Sequence, residues 1–412
     1  MKHFSFLTAI ILFAAFSFTQ AQKVKTGIEV LRDHNFDILA GKRVGLITNP
    51  TGVDSDLKST VDILNEAPNV KVTALYGPEH GVRGDFSGGD TVTNTIDKET
   101  GIPVFSLYGK TRKPSPDMLK DVDVLVYDIQ DIGCRSYTFI STMGKVMEAA
   151  AENNIPFVVL DRPNPLGGEK VEGNLVEDSS LSFVSAFKIP YVYGLTCGEL
   201  AVLINNQRLL ANGVKCNLTV VPMEGWKRDM TFKETGLPWV PTSPHIPHFD
   251  TPEYYVLSGI MGELGVLSEG VGYTLPFEVF AGEWINADSL CMNMKALKLP
   301  GVNFRPINFK AYYGRDKGKE LHGVQIYITD FNKVDLMGLQ FYFMQVQYQM
   351  YPDKNPFKMA KPERIKFFDK VCGTPEVREL FSKNMRYHDI KNFLDKDVAD
   401  FKKLSKKYYL YK

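Results

Sequence analysis

Five short apolar runs, alternating with stretches of helical spacing, constrain the fold of this chain more than any other feature. Residues 43–49 (RVGLITN), 70–76 (VKVTALY), 102–108 (IPVFSLY), 122–129 (VDVLVYDI) and 155–161 (IPFVVLD) are rich in β-branched and aromatic side chains. Residues 57–65, 136–154 and 196–210 carry helical spacing, with Ser136 placed as an N-cap, and 216–223 (CNLTVVPM) is a further strand run. Continuous apolar strands separated by helices are what a parallel sheet covered on both faces requires. The expected fold class is therefore α/β: a Rossmann-like, doubly wound, mostly parallel sheet. At about 100–200 residues per domain, 412 residues imply a second unit. Residues 236–252 (GLPWVPTSPHIPHFDTP) are proline-rich and aperiodic, and they mark the boundary. The expected division is a Rossmann-like domain over 22–248 and a smaller α+β domain over 249–412. In the latter, 323–329 alternates like a strand, and 334–350 and 362–411 read as helical.

The N-terminus has the pattern of a secretory signal peptide. Met1-Lys2-His3 is a short basic start, residues 4–18 are almost wholly apolar, and Thr19-Gln20-Ala21 is a small-x-small cleavage site. The apolar stretch falls short of the ~20 residues that span a bilayer, and no cysteine follows it for a lipid anchor. The expectation is removal of residues 1–21 and an exported protein, periplasmic or secreted, without a membrane anchor. Lys plus Arg and Asp plus Glu are both 48, and residues 1–21 hold one lysine and no acid. Such balance excludes a nucleic acid or an anionic membrane held by bulk charge. The five cysteines, Cys134, Cys197, Cys216, Cys291 and Cys372, are scattered and lack a C-x-x-C pair. They form neither a disulfide scaffold nor a zinc module, which leaves buried free thiols or one or two bridges.

Several common motifs are missing. No G-x-G-x-x-G follows the first strand and no G-x-S-x-G elbow occurs. Gly109-Lys110-Thr111 resembles the end of a P-loop, but position 104 is Val. His245, His248 and Asp250 are separated by prolines that prevent helical ligand spacing, so no metal and no cofactor are expected. The chemistry lies instead in polar loops after the strands: Thr48-Asn49-Pro50, Gly77-Pro78-Glu79-His80, Asp128-Ile129-Gln130-Asp131 and Asp161-Arg162-Pro163-Asn164. In a parallel sheet these loops share the edge where ligands bind. Glu79, His80 and Arg83 stand within five residues, and a carboxyl beside apolar walls can hold a proton for a leaving oxygen. Asp128, Gln130, Asp131, Arg135 and Tyr137 form a second dense cluster. Glu269 and Glu278, among glycines and aromatic residues in SEGVGYTLPFE, suit a sugar site, because aromatic rings stack on pyranose faces.

The segments GPEHGVRG, YDIQDIGCRSYT, LDRPNP, YGLTCGELA, 239–244 (WVPTSP) and SEGVGYTLPFE occur in this order across essentially the whole mature chain. Together they resemble the NamZ-type exo-β-N-acetylmuramidases. The resemblance implies release of N-acetylmuramic acid from non-reducing ends of peptidoglycan fragments, with 22–248 as the catalytic domain and 249–412 completing the cleft, so that the active site lies between them. It maps the family's proposed catalytic glutamate onto Glu79. Val271, Tyr273, Leu275 and His245 depart from the family pattern, and Val271 and Leu275 stand where it often has arginine, which bears on substrate preference. The expected catalytic residues are Glu79, His80 and Asp128. The expected substrate contacts are Asn49, Arg83, Asp131, Arg135, Tyr137, Asp161, Asn164, His245, Glu269 and Glu278. A glycosidase ordinarily needs a second carboxylate, and Asp128, Asp131, Glu269 and Glu278 are the candidates, with the sugar's own 2-acetamido group as the other option. A periplasmic sugar-binding protein without catalysis would share this architecture. No obligate protein partner is evident.

Overall fold

The computed structural model describes residues 23–84, 94–109 and 111–412; the signal-peptide expectation falls on residues outside these. The first half builds a seven-stranded sheet from β1 (Arg43–Thr48), β2 (Lys71–Gly77), β3 (Thr95–Ile96), β4 (Pro103–Ser106), β5 (Val124–Asp128), β6 (Phe157–Leu160) and β7 (Leu218–Val221). Their order is β3-β4-β2-β1-β5-β6-β7, and every pairing is parallel except β3 with β4. Apart from the edge β3, this is the doubly wound Rossmann order, which reverses direction at β1.

Successive residues of a strand point to opposite faces, and β5 shows what each face meets. Val124 and Val126 join a core with Ile28, Leu31, Val61 and Leu64 from the helices Gly27–Asp33 and Thr60–Glu66. Leu125 and Tyr127 join the opposite core with Phe139, Met143, Leu200 and Ile204 from the helices Phe139–Glu152 and Cys197–Asn206. Burial on both sides explains why the run was continuously apolar instead of alternating. Helix starts are set locally. Ser59 accepts from the Asp62 N–H at 3.1 Å, and Thr196 and Glu199 form a capping box. Ser136 is not the N-cap of the helix Phe139–Glu152; Thr138 is. The Ser136 hydroxyl is drawn instead to Tyr191 and Tyr255, at 3.2 and 3.1 Å.

The second half holds a three-stranded antiparallel sheet, β8 (Val279–Gly282), β9 (Val302–Lys310) and β10 (Glu320–Ile328), in the order β8-β10-β9. Helices Thr251–Gly262, Leu336–Met350, Pro362–Cys372 and Glu376–Asn384 pack a large apolar core against it. That core also takes in Ile132, Cys134, Leu166, Tyr191 and Val192 from the first half, so the two units share one apolar interior. The end of the chain returns to the first sheet. Phe401 lies in its core, and Tyr411 bonds Asp161 and the Met223 N–H. All five cysteines are free and buried. Among the described residues no helix is long and apolar enough to cross a membrane.

Candidate active site

β2 ends at Gly77, and Pro78, Glu79 and His80 turn the chain away from the sheet edge. The Gly81 N–H closes that turn on the Pro78 carbonyl at 3.0 Å, and His80 adopts φ of 72°. A non-glycine residue in this left-handed region is uncommon, and such positions concentrate at functional sites. The turn delivers Glu79, half-buried, into a cavity of about 570 Å³, a size suited to a small ligand. Two hydroxyls hold its carboxylate: Thr138 Oγ1 donates to Oε2 at 3.3 Å, and Tyr108, just beyond β4, donates as well. Thr138 immediately precedes the helix Phe139–Glu152, so the Glu79 carboxylate sits at that helix's positive end.

The cavity has an aromatic wall. The Tyr137 ring stands edge-on to Phe139 and Tyr255, with centroids 4.9 and 5.8 Å apart, and Tyr255 is edge-on to Phe277 at 5.0 Å. The Tyr137 hydroxyl is tied to Thr242 at 2.8 Å, and burial raises its pKa well above the ordinary phenol value. His245 comes in from the proline-rich segment and stacks on Tyr313. Burial and the neighbouring His80 hold the His245 pKa below its usual value. The second half of the chain contributes Glu263, Phe277, Phe367 and Lys370. Burial pushes the Glu263 carboxyl up to about 7, even though Arg364 lies 2.8 Å away.

The structure separates the residues that the sequence grouped. Glu79, His80, Tyr137 and His245 line the cavity; the other candidates are engaged elsewhere. Arg83 forks onto Asp97 at 2.9 and 3.0 Å, away from Glu79. Asp128 is fully buried and takes the Arg162 guanidinium on both oxygens, with the Thr60 hydroxyl as a third donor. This pair closes the crevice between β1 and β5, the switch point where a Rossmann fold ordinarily binds its ligand. A space of about 20 Å³ lies there, lined by Thr51, Gln130 and Arg162. Asn49 folds back on Thr51 at 3.0 Å as a turn. Asp131 accepts from the Gly133 N–H and from Tyr193, and burial raises its carboxyl to about 7. Arg135 spends its guanidinium on the carbonyls of Asn174, Ile189 and Val371. Asp161 caps the helix Cys197–Asn206 through the Gly198 N–H at 2.7 Å and holds Tyr411, and desolvation raises its carboxyl to about 6. Asn164 bonds the Leu195 carbonyl and the Leu166 N–H. Glu269 pairs with Arg315 at 3.2 Å, and Glu278 faces Gln325 at 3.4 Å.

Tyr108, Arg112, Thr138, Tyr255, Glu263 and Lys370 are among the lining residues that escaped the sequence reading. Tyr108 ends a strand run, the same signal that exposed Glu79. Glu263 follows the helix Thr251–Gly262 between glycines, and only the packing of the two halves turns it toward Glu79's cavity. Among the described residues no cluster of three or more His, Cys, Asp or Glu could hold a metal ion.

The chain is similar to known proteins over nearly its whole length. Residues 44–250 match the model of the N-terminal part of exo-β-N-acetylmuramidase NamZ, and residues 254–411 match that of its C-terminal part. The peptidoglycan β-N-acetylmuramidase NamZ of Bacillus subtilis (strain 168) is 42% identical over 419 residues, covering 99% of both chains. A crystal structure of a DUF1343 family protein from Bacteroides fragilis NCTC 9343 superposes with a TM-score of 0.91 at 60% identity, covering 95% of this chain and 99% of that one. A second DUF1343 family protein from the same organism gives a TM-score of 0.76 at 31% identity, with 94% and 99% covered.

Proposed function

This chain belongs to the NamZ exo-β-N-acetylmuramidase family, and from that premise we propose that it hydrolyses β-N-acetylmuramic acid linkages, releasing the sugar from non-reducing ends of peptidoglycan fragments. The observation that carries the reading is Glu79: a carboxyl delivered by a strained turn into an aromatic-walled cavity and held by two hydroxyls. Glu79 gives its proton to the departing glycosidic oxygen. Tyr108 and Thr138 orient it, and the wall around Tyr137 and Tyr255 packs against the sugar's apolar face.

Among the described residues the second carboxylate lining the cavity is Glu263. With its carboxyl near 7 it exchanges a proton at neutral pH, as an acid–base partner requires. The alternative partner is the substrate's 2-acetamido oxygen, as in substrate-assisted glycosidases. The reaction takes place outside the cytoplasm, after loss of residues 1–21; the basic start, apolar run and small-x-small site support this export, and N-terminal sequencing of protein from cell fractions tests it.

The activity test uses para-nitrophenyl N-acetylmuramic acid beside a muramyl disaccharide. The mature protein releases sugar from both. Glu79→Gln slows the disaccharide by about 10²–10⁴ and the nitrophenyl glycoside by less, because nitrophenolate leaves without a proton. Glu263→Gln is equally damaging if Glu263 is the partner and mild if the acetamido group is. The anomer of the first product, read by NMR, reports retention or inversion. Tight sugar binding with no turnover of either substrate would overturn the hydrolase reading in favour of a binding protein.

A further inference from the structure

The cavity holds more positive charge than its carboxylates can balance. Arg112 and Lys370 line it together with Glu79 and Glu263. Glu263 is already engaged by Arg364 at 2.8 Å. Asp369, beside Lys370 in sequence, is taken by Arg378 at 2.8 Å. Among the described residues neither Arg112 nor Lys370 has a carboxylate of its own, which leaves one positive charge in excess once Glu79 is counted.

Both cations stand at the exposed side of the cavity. The Arg112 guanidinium lies over the Phe183 ring, 4.2 Å from its centroid. That cation–π contact holds the guanidinium beside the cavity, where its N–H groups can fork onto a carboxylate. Lys370 lies one turn beyond Phe367 on the helix Pro362–Cys372, and both face the cavity. The end of that helix is tied to the segment leading to Phe183. The Glu177 N–H bonds the Gly373 carbonyl at 2.9 Å, Thr374 bonds the Glu177 carboxylate at 2.7 Å, and Asn174 bonds the Cys372 carbonyl at 3.1 Å. The Ser182 hydroxyl, also in the lining, has no partner among the described residues and adds a donor. Arg112 acts electrostatically on Tyr108, whose hydroxyl holds Glu79, so the cationic side adjoins the reacting centre.

We infer that Arg112 and Lys370 form an anion subsite for the carboxylate of the 3-O-lactyl ether that distinguishes N-acetylmuramic acid from N-acetylglucosamine. The inference rests on the hydrolase reading and deepens it: the two cations determine which sugar is accepted, and Glu79 acts on whatever is bound. A ligand whose lactyl carboxyl is esterified keeps its shape but loses the charge, and it binds poorly. A planar guanidinium and a mobile ammonium suit one carboxylate from two directions.

The test separates binding from turnover. Calorimetry on Glu79→Gln protein compares N-acetylmuramic acid with its methyl ester, in that background and with Arg112→Gln and Lys370→Gln added. The acid binds at least tenfold tighter than the ester in the parent, and the ratio collapses toward one in the triple variant. With Glu79 intact, the Arg112→Gln/Lys370→Gln pair raises KM for the nitrophenyl muramide at least tenfold while kcat stays within about threefold. An ester bound as tightly as the acid, or a preference that survives both substitutions, overturns the subsite. Loss of turnover in the unaltered enzyme with the acid/ester preference intact overturns the hydrolase reading alone. If the parent binds neither ligand, the subsite falls and turnover alone decides the hydrolase reading.

Discussion

Asp128→Asn separates a catalytic from a structural carboxylate. Asp128 ends the central strand β5, is fully buried, and meets the Arg162 guanidinium with both oxygens. Arg162 is 5% exposed and makes one more bond, to the Val53 carbonyl at 2.8 Å. The asparagine keeps the shape but leaves a buried guanidinium against a neutral amide. Breaking one side of a buried pair costs about 3–5 kcal/mol, a large part of the roughly 5–15 kcal/mol that holds a protein folded. With a urea m-value near 3 kcal/mol/M, the unfolding midpoint drops by about 1–2 M. Asp128→Leu together with Arg162→Met recovers part of that loss, because no unpaired charge remains. Activity tells the opposite story. Since Asp128 does not line the Glu79 cavity, the folded Asp128→Asn protein at low temperature keeps kcat/KM within about tenfold, whereas removing a general acid or base costs about 10²–10⁴. A hundredfold loss of kcat/KM with an unchanged urea midpoint would refute the argument and return Asp128 to the chemistry.

Further outcomes are expected from the same contacts. Asp131 has its folded pKa raised to about 7 by burial, above the ordinary 3.8, so the native state holds a proton that the unfolded chain gives up. Its contribution is fully present below about pH 4 and is lost as pH rises toward 7; Asp131→Asn flattens that slope in thermal unfolding between pH 4 and 8. Arg135→Met removes three bonds to buried carbonyls, one of them at the end of the helix Pro362–Cys372. It should cost about 2–5 kcal/mol, measured by urea unfolding, and Arg135→Lys should restore little, because one ammonium cannot span the three carbonyls. Gly323→Ala would place a Cβ 1.9 Å from the Phe280 carbonyl oxygen in the β8–β10 pairing. Overpacking of this kind costs about 1–3 kcal/mol or more, visible as a lower melting temperature, and an unchanged melting temperature would contradict the close approach.

How much of the molecule was legible depended on the range of the interaction. The strands β1, β2, β4, β5, β6 and β7 and the long helices of the first sheet announce themselves, because burial on both faces writes an apolar run and helix packing writes a 3.6-residue period. The strands β8 and β9 gave no comparable signal. β9 reads VNFRPINFK, with polar residues on an exposed face and a proline inside it, and its place was decided by pairing with β10. Glu79 was legible because a carboxylate beside glycines at a strand end is a local pattern. Tyr108 also ends a strand run, but its role depends on the approach of Glu79 from another strand.

The sequence by itself determined a doubly wound sheet, the edge of that sheet where polar loops collect, and Glu79 at that edge, since each follows from residues near one another along the chain. Only the tertiary structure decided which polar residues line the cavity and which hold the fold together. Asp128, Asp131, Arg135 and Asp161 look as catalytic in sequence as Glu79 does, yet they find Arg162, Tyr193, three carbonyls and Tyr411 across separations of 34 to 250 residues. A buried charge must be matched by whatever packing brings to it. The partners that leave Glu79 open to the cavity and close the others away are therefore a property of the assembled molecule.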